Sequence, residues 1–146
     1  MKHRLWILLA ACLALLLAAC TAPAPQVANP QDAGLPTPES GKGAIAGQLL
    51  SASERWPGEG IIVYAASYAP VDGGGGMYTL EPYLAPQAVA AADGSFYINN
   101  IPPGDYVLIT GPEPARGRLI VGDNDQTRVF TVTTEILQAG ELTIAR

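Results

Sequence analysis

Residues 93–108 read DGSFYINNIPPGDYVL, and this stretch decides the fold class. Asp93-Gly94 is a turn signal, because glycine takes φ > 0 without a Cβ clash and aspartate bonds readily to nearby backbone. Phe96 and Ile98 then alternate with Ser95, Tyr97 and Asn99, which gives one apolar face at period two. Pro102-Pro103-Gly104 ends that run. The prolines carry no N–H and fix φ, so neither a helix nor a paired strand continues through them. Tyr106 and Leu108 resume the alternation. The expected structure is a hairpin at Asp93-Gly94 entered from a third main strand at 87–92, then strands at 95–99 and 105–110 about a tight turn.

The same grammar extends in both directions. GAIAGQLL at 43–50 is a first strand, with Ile45, Gly47 and Leu49 on one face. IIVYAASY at 61–68 is a second. Ile61, Val63 and Ala65 should face inward, and the opposite face (Ile62, Tyr64, Ala66) is itself hardly polar. APVDGGGGMYTLEPYLAP at 69–86 is the least regular part. Its run of four glycines has high backbone entropy and nothing to pack, so a mobile loop is expected, followed by a short edge strand at 77–80. RLIV at 118–121 pairs next, then RVFTVT at 128–133 with Phe130 and Val132 on one face. A turn at 138–140 leads into a last strand at 141–145. Glycine (16) and proline (13) are abundant, and no helical period occurs beyond the N-terminus. The fold class is all-β: an antiparallel sandwich of about seven strands.

The pattern D-G-x-F-x-hydrophobic followed by P-P-G-x-Y-x-L, with G-x-I-x-G-x-L at 43–49, resembles the signature of carboxypeptidase-regulatory-like (transthyretin-like, prealbumin-like) domains. That resemblance implies an Ig-like, prealbumin-like sandwich on an exported protein. It implies no peptidase, because the zinc peptidase motif is not in this chain.

The N-terminus reads MKHRLWILLAACLALLLAAC. Basic residues precede an uncharged apolar run that is short for a membrane span, which needs about 20 residues. Residues 1–19 are therefore expected to be a signal peptide. Its end, Leu17-Ala18-Ala19-Cys20, resembles the bacterial lipobox, which implies a lipidated Cys20 at the mature N-terminus. Residues 20–41 hold five prolines and no aromatic, a composition that stays disordered and extended. At about 3.1 Å per residue such a tether reaches roughly 60 Å. The folded domain is then 42–146, about 105 residues, enough for a self-sufficient core. The expected address is the extracytoplasmic face of a bacterial membrane, and the outer membrane where the cell has one, because Thr21 stands where a retention aspartate would.

Charge and composition close off several functions. Removing the leader leaves six basic against thirteen acidic residues, a net charge near −7. This opposes nucleic-acid binding, which needs cations facing phosphate, and leaves membrane contact to the lipid. His3, the single histidine, leaves with the leader, and Cys20 carries lipid. Ser-His-Asp and Cys-His nucleophile systems and His- or thiolate-ligated metals are then closed to the mature chain. No cofactor and no enzymatic activity are expected. Asp123 and Asp125 are weak calcium candidates, since Asp123-Asn124-Asp125 clusters oxygens, but a solvated turn is the favoured reading of so short a pattern. Tyr106, after the Pro-Pro-Gly turn, is placed to bond backbone like a tyrosine corner. Trp56, Tyr68, Tyr78 and Tyr83 are the candidate ligand surface, because aromatic faces stack on sugars or anchor protein partners; packing at the end of the sandwich is the competing account. Two roles stay open. One is a structural or adhesive module of the cell envelope. The other is a lipoprotein that presents a glycan or peptide site on 69–86.

Overall fold

The computed structural model describes residues 34–51, 60–122 and 125–144. The chain divides into Met1–Gly34, of which only Gly34 is described, and Leu35–Arg146, which carries the fold. The leader, Cys20 and Trp56 lie outside the described residues. In chain order the strands are β1 (Gly43–Ser51), β2 (Ile62–Pro70), β3 (Gly76–Thr79), β4 (Gln87–Val89), β5 (Ser95–Ile101), β6 (Gly104–Gly111), β7 (Arg118–Leu119), β8 (Val129–Val132) and β9 (Ile136–Ile144).

β1 is the middle of a three-stranded sheet, antiparallel to β5 and parallel to β9. The second sheet is built on the antiparallel pair β2 and β6. β3 and β4 share the other edge of β2, and β7 and β8 share the other edge of β6. Between the sheets, Ile45, Leu49, Ile98 and Leu142 meet Val63, Ala65, Leu108 and Phe130. Each of these side chains larger than alanine contributes about 1.5–3 kcal/mol by leaving water. The expected inward face of β2 holds at Val63 and Ala65, and the Ile45–Leu49 face of β1 and the Phe130–Val132 face of β8 also enter the core. The weakly polar outer face of β2 is also buried: Tyr64 and Ala66 form a second cluster with Val107 and Ile109 of β6. Among the described residues no helix is long and apolar enough to cross a membrane.

Several expectations need correction. The two strands of the 93–108 stretch do not pair with each other, because β5 joins β1 and β6 joins β2. Pro102-Pro103-Gly104 is thus a corner between sheets: two residues without N–H cannot continue a ladder, and the chain crosses. Tyr106 locks the corner by donating its hydroxyl to the Pro102 carbonyl at 2.9 Å, as the sequence suggested. The Asp93-Gly94 turn is also a crossing and closes no hairpin, since β4 pairs with β2. The third main strand is shorter than expected; β4 spans three residues, and Ala91 already belongs to the turn, its N–H bonding Ser95 O at 2.8 Å.

No turn interrupts β9 at 138–140. Its register moves from Ala46↔Gln138 to Gly47↔Gly140, a bulge with Gly140 at φ +71°. Arg128 covers the bulge, donating from Nη2 to the Ala139 carbonyl at 2.9 Å. Among the described residues each of the nine strand segments laid out from the sequence is present, the summary count of about seven being exceeded because β3, β4 and β7 are short edge pieces. The end of the proline-rich stretch also lies on the sandwich. Tyr97 donates its hydroxyl to the Pro36 carbonyl, and the Glu39 N–H donates to Asn100 Oδ1 at 2.8 Å. The compact unit accordingly starts at Leu35, ahead of Lys42.

Candidate functional site

Residues 69–86 form an arm rather than a loose loop. β2 runs on to Pro70, and β3 pairs back on it as Tyr68↔Tyr78, Ala69↔Met77 and Pro70↔Gly76. Three of the four glycines make the hairpin turn, with Gly73, Gly74 and Gly75 at φ +95°, +101° and +78°, a region closed to most side chains. Gly76 is needed for a different reason. A Cβ there would collide with the ring of Tyr68, which lies across the hairpin. After β3 the chain makes a turn in which Leu84 N and Ala85 N both donate to Glu81 O, at 3.0 and 2.8 Å.

Alternation past the end of β3 makes the arm line two clefts. Tyr78, Leu80 and Pro82 face one of about 280 Å³, completed by Ile109, Pro114 and Leu119 on the outer face of the larger sheet. Thr79, Glu81 and Leu84 face another of about 440 Å³, completed by Ser67 of β2, Asn100 of β5 and Tyr106 of β6. A third cleft of about 370 Å³, at the Thr110 end of β6, is lined by Arg116 and Arg118. Arg116 pairs with Glu113 at 3.2 Å.

Burial pushes the Tyr106 hydroxyl above the usual phenol range. It therefore stays protonated at neutral pH and acts as a hydrogen-bonding group, not as a base. Burial foremost, and then the charge of Glu113, raises Tyr64 in the outer cluster. Burial raises Tyr97 as well. Asp93 is held below the usual carboxylate range by hydrogen bonds from Ser95, first from its hydroxyl at 2.7 Å and then from its N–H at 2.9 Å. These are groups fixed by the fold, and none makes an acid–base pair with another.

The candidate aromatics are only partly brought together. Tyr68 and Tyr78 are direct cross-strand partners. Tyr83 stands apart in the turn, 96% exposed, beside Leu84 at 77%. Asp125 is exposed at φ +55° and its N–H bonds Gly122 O at 3.1 Å, while Asp123 lies outside the described residues. Among the described residues no three metal-ligating side chains converge. Sequence reasoning missed Glu81 and Asn100. Asn100 sits at φ +57°, supported by its own N–H donating to Asn99 Oδ1 at 2.8 Å. The doubled asparagine before Ile-Pro-Pro was the available signal, since asparagine tolerates that conformation better than most residues.

No protein-family model and no curated protein matches the chain. Among solved structures it is similar to the backbone protein of a group B streptococcus pilus (pilus 2b), at 18% identity and a TM-score of 0.37 over 70% of this chain. The chain spans 41% of the length of that protein. It is also similar to a candidate carbohydrate-binding protein from Pseudomonas aeruginosa, at 17% identity and a TM-score of 0.42, covering 80% of this chain and 98% of the other. Likeness of this depth assigns no role to the chain.

Proposed function

We propose that this protein is a non-enzymatic interaction module of the bacterial cell envelope, working through the 69–86 arm. One observation carries the reading. Of the seven exposed large hydrophobic side chains among the described residues, five (Val71, Met77, Tyr78, Tyr83 and Leu84) lie on this arm. Exposed apolar side chains scattered singly need no explanation, whereas their concentration on one projecting segment marks a contact surface. The Tyr106–Pro102 lock on the Pro-Pro-Gly corner supports placing the sandwich with carboxypeptidase-regulatory-like domains. The Leu-Ala-Ala-Cys sequence at 17–20 supports lipid anchoring through Cys20, with the domain held at the outer side of the membrane.

The test is made in cells with the full chain. Palmitate label should be lost on Cys20→Ala. A photo-crosslinking side chain placed at position 78 or 83 should capture an envelope component reproducibly. The same probe at Thr143, exposed on β9 in the other sheet, should capture none. Equal capture from all three positions would remove the arm as the working surface. Label that persists in Cys20→Ala would remove the anchor.

A further inference from the structure

The inner cleft walled by the arm carries polar groups of a restricted kind. At about 440 Å³ it lies within the roughly 300–1,000 Å³ range of small-molecule sites. Its polar side chains are Ser67, Thr79, Glu81, Asn100 and Tyr106, and no Lys, Arg or His among the described residues lines it. We propose that this cleft binds an uncharged glycan. The proposal rests on the reading of 69–86 as the working segment and gives a ligand class to its inner side, where Thr79, Glu81 and Leu84 of that segment line the cleft.

The hydrogen-bonding capacity of each group points to adjacent hydroxyls. Asn100 Oδ1 already accepts the Glu39 N–H at 2.8 Å, so the end of the amide left to a ligand is the NH₂ donor. Glu81, when ionised, only accepts. The Tyr106 proton goes to Pro102 O at 2.9 Å, which leaves its oxygen as an acceptor. Ser67 and Thr79 both donate and accept. A sugar diol answers this set: one hydroxyl accepts from the amide while its neighbour donates to the carboxylate. Leu84, Pro86 and Pro102 supply apolar surface for the C–H face of the ring. A carboxylate with no compensating cation among the described lining residues repels uronic or sialic acids, so the ligand is neutral.

The experiment titrates the purified full-length protein with neutral hexose and N-acetylhexosamine di- and trisaccharides. Uronic-acid and sialic-acid counterparts and a lysine-rich peptide serve as comparators. Neutral sugars should bind, and the acidic ones should bind at least about tenfold more weakly. Asn100→Asp keeps the acceptor for Glu39 N–H and a residue that tolerates the left-handed conformation, but loses the donor. It should weaken sugar binding about tenfold, the scale of one hydrogen bond, with the Tm unchanged. Glu81→Gln, in an exposed turn, should weaken it several-fold and narrow the preference for neutral over acidic sugars. It keeps the test decisive if Asn100→Asp alters the fold. Absence of neutral-sugar binding at millimolar concentration, binding unmoved by Glu81→Gln, or binding of the basic peptide alone would overturn the proposal. Crosslinks from position 83 that persist when sugars fail to bind would overturn the glycan and leave the arm standing. Sugar binding that survives while those crosslinks vanish would retain the cleft and remove the arm as the envelope contact.

Discussion

Residues 93–108 and 69–86 share one local pattern, strand then turn then strand, and they end in opposite environments. The first crosses between sheets at a proline corner, and its side chains at Phe96, Ile98, Ile101, Tyr106 and Leu108 all enter the core. The second stays in one sheet, turns on glycines, and leaves Met77, Tyr78, Tyr83 and Leu84 in solvent. Proline ends a ladder by removing donors, so the strand after it is free to join another sheet. Glycine only permits reversal: at 73–75 the strand after it pairs back on β2, whereas past Gly94 the next strand joins the other sheet. The proline corner excludes a ladder, and a glycine turn leaves the partner to the strands themselves.

The largest expected effect comes from truncating one leucine in each region. Leu108 is fully buried, so Leu108→Ala should cost about 2–5 kcal/mol through lost transfer energy and the cavity left behind. That is a large share of a typical domain's stability. Leu84→Ala should change stability by less than about 0.5 kcal/mol. Urea unfolding of both variants makes the comparison. Equal losses would mean that the arm belongs to the core after all.

A smaller contrast comes from two glycines that each face an aromatic ring. A Cβ on Gly47 would lie 2.8 Å from the Phe96 ring and 3.1 Å from Gly140 O, in a core where neither has room to move. Gly47→Ala should cost about 1–3 kcal/mol as overpacking. A Cβ on Gly76 meets the Tyr68 ring, but that ring is only half-buried and can swing toward solvent. Gly76→Ala should cost less than about 1 kcal/mol and displace the Tyr68 ring resonances in an NMR spectrum. If the two substitutions cost the same, Tyr68 is a fixed part of the fold and not a displaceable surface ring.

Which residues share a face was legible from alternation: Ile45 with Leu49, Val63 with Ala65 and Phe130 with Val132 all enter the core between the sheets, although Tyr64 and Ala66 on the other face of β2 are buried as well. Partner choice was not legible. Alternation states which side a residue faces and says nothing about which strand lies beside it, so β5 and β6 read as neighbours although they occupy different sheets. Gly140 illustrates a second limit. A glycine among polar residues signals either a turn or a bulge, and only pairing with β1 decides for the bulge. For the candidate site, Tyr68, Tyr78 and Tyr83 were visible as aromatics. Glu81 and Asn100 were not, because their meeting across one cleft depends on the arm folding back toward the β5–β6 corner.

The smallest effect concerns how the crossing at Asp93-Gly94 is held, and it is read through pH. The Asp93 carboxylate accepts both the hydroxyl and the N–H of Ser95, and these bonds hold its pKa in the folded protein below the usual carboxylate range. A carboxyl whose folded pKa is depressed adds stability above its unfolded pKa and loses it as pH falls through the folded value. The window is therefore acidic, from just above pH 4 downward. Asp93→Asn keeps an oxygen to accept from Ser95 but cannot titrate. The variant should melt slightly below the parent protein at pH 6. The gap should narrow as pH falls through the acidic range and the parent's Asp93 takes up a proton. Melting temperatures of both proteins from pH 2 to 6 measure this directly. A gap that stays constant across that range would show that the Ser95 bonds hold the turn by geometry alone, with no contribution from the charge.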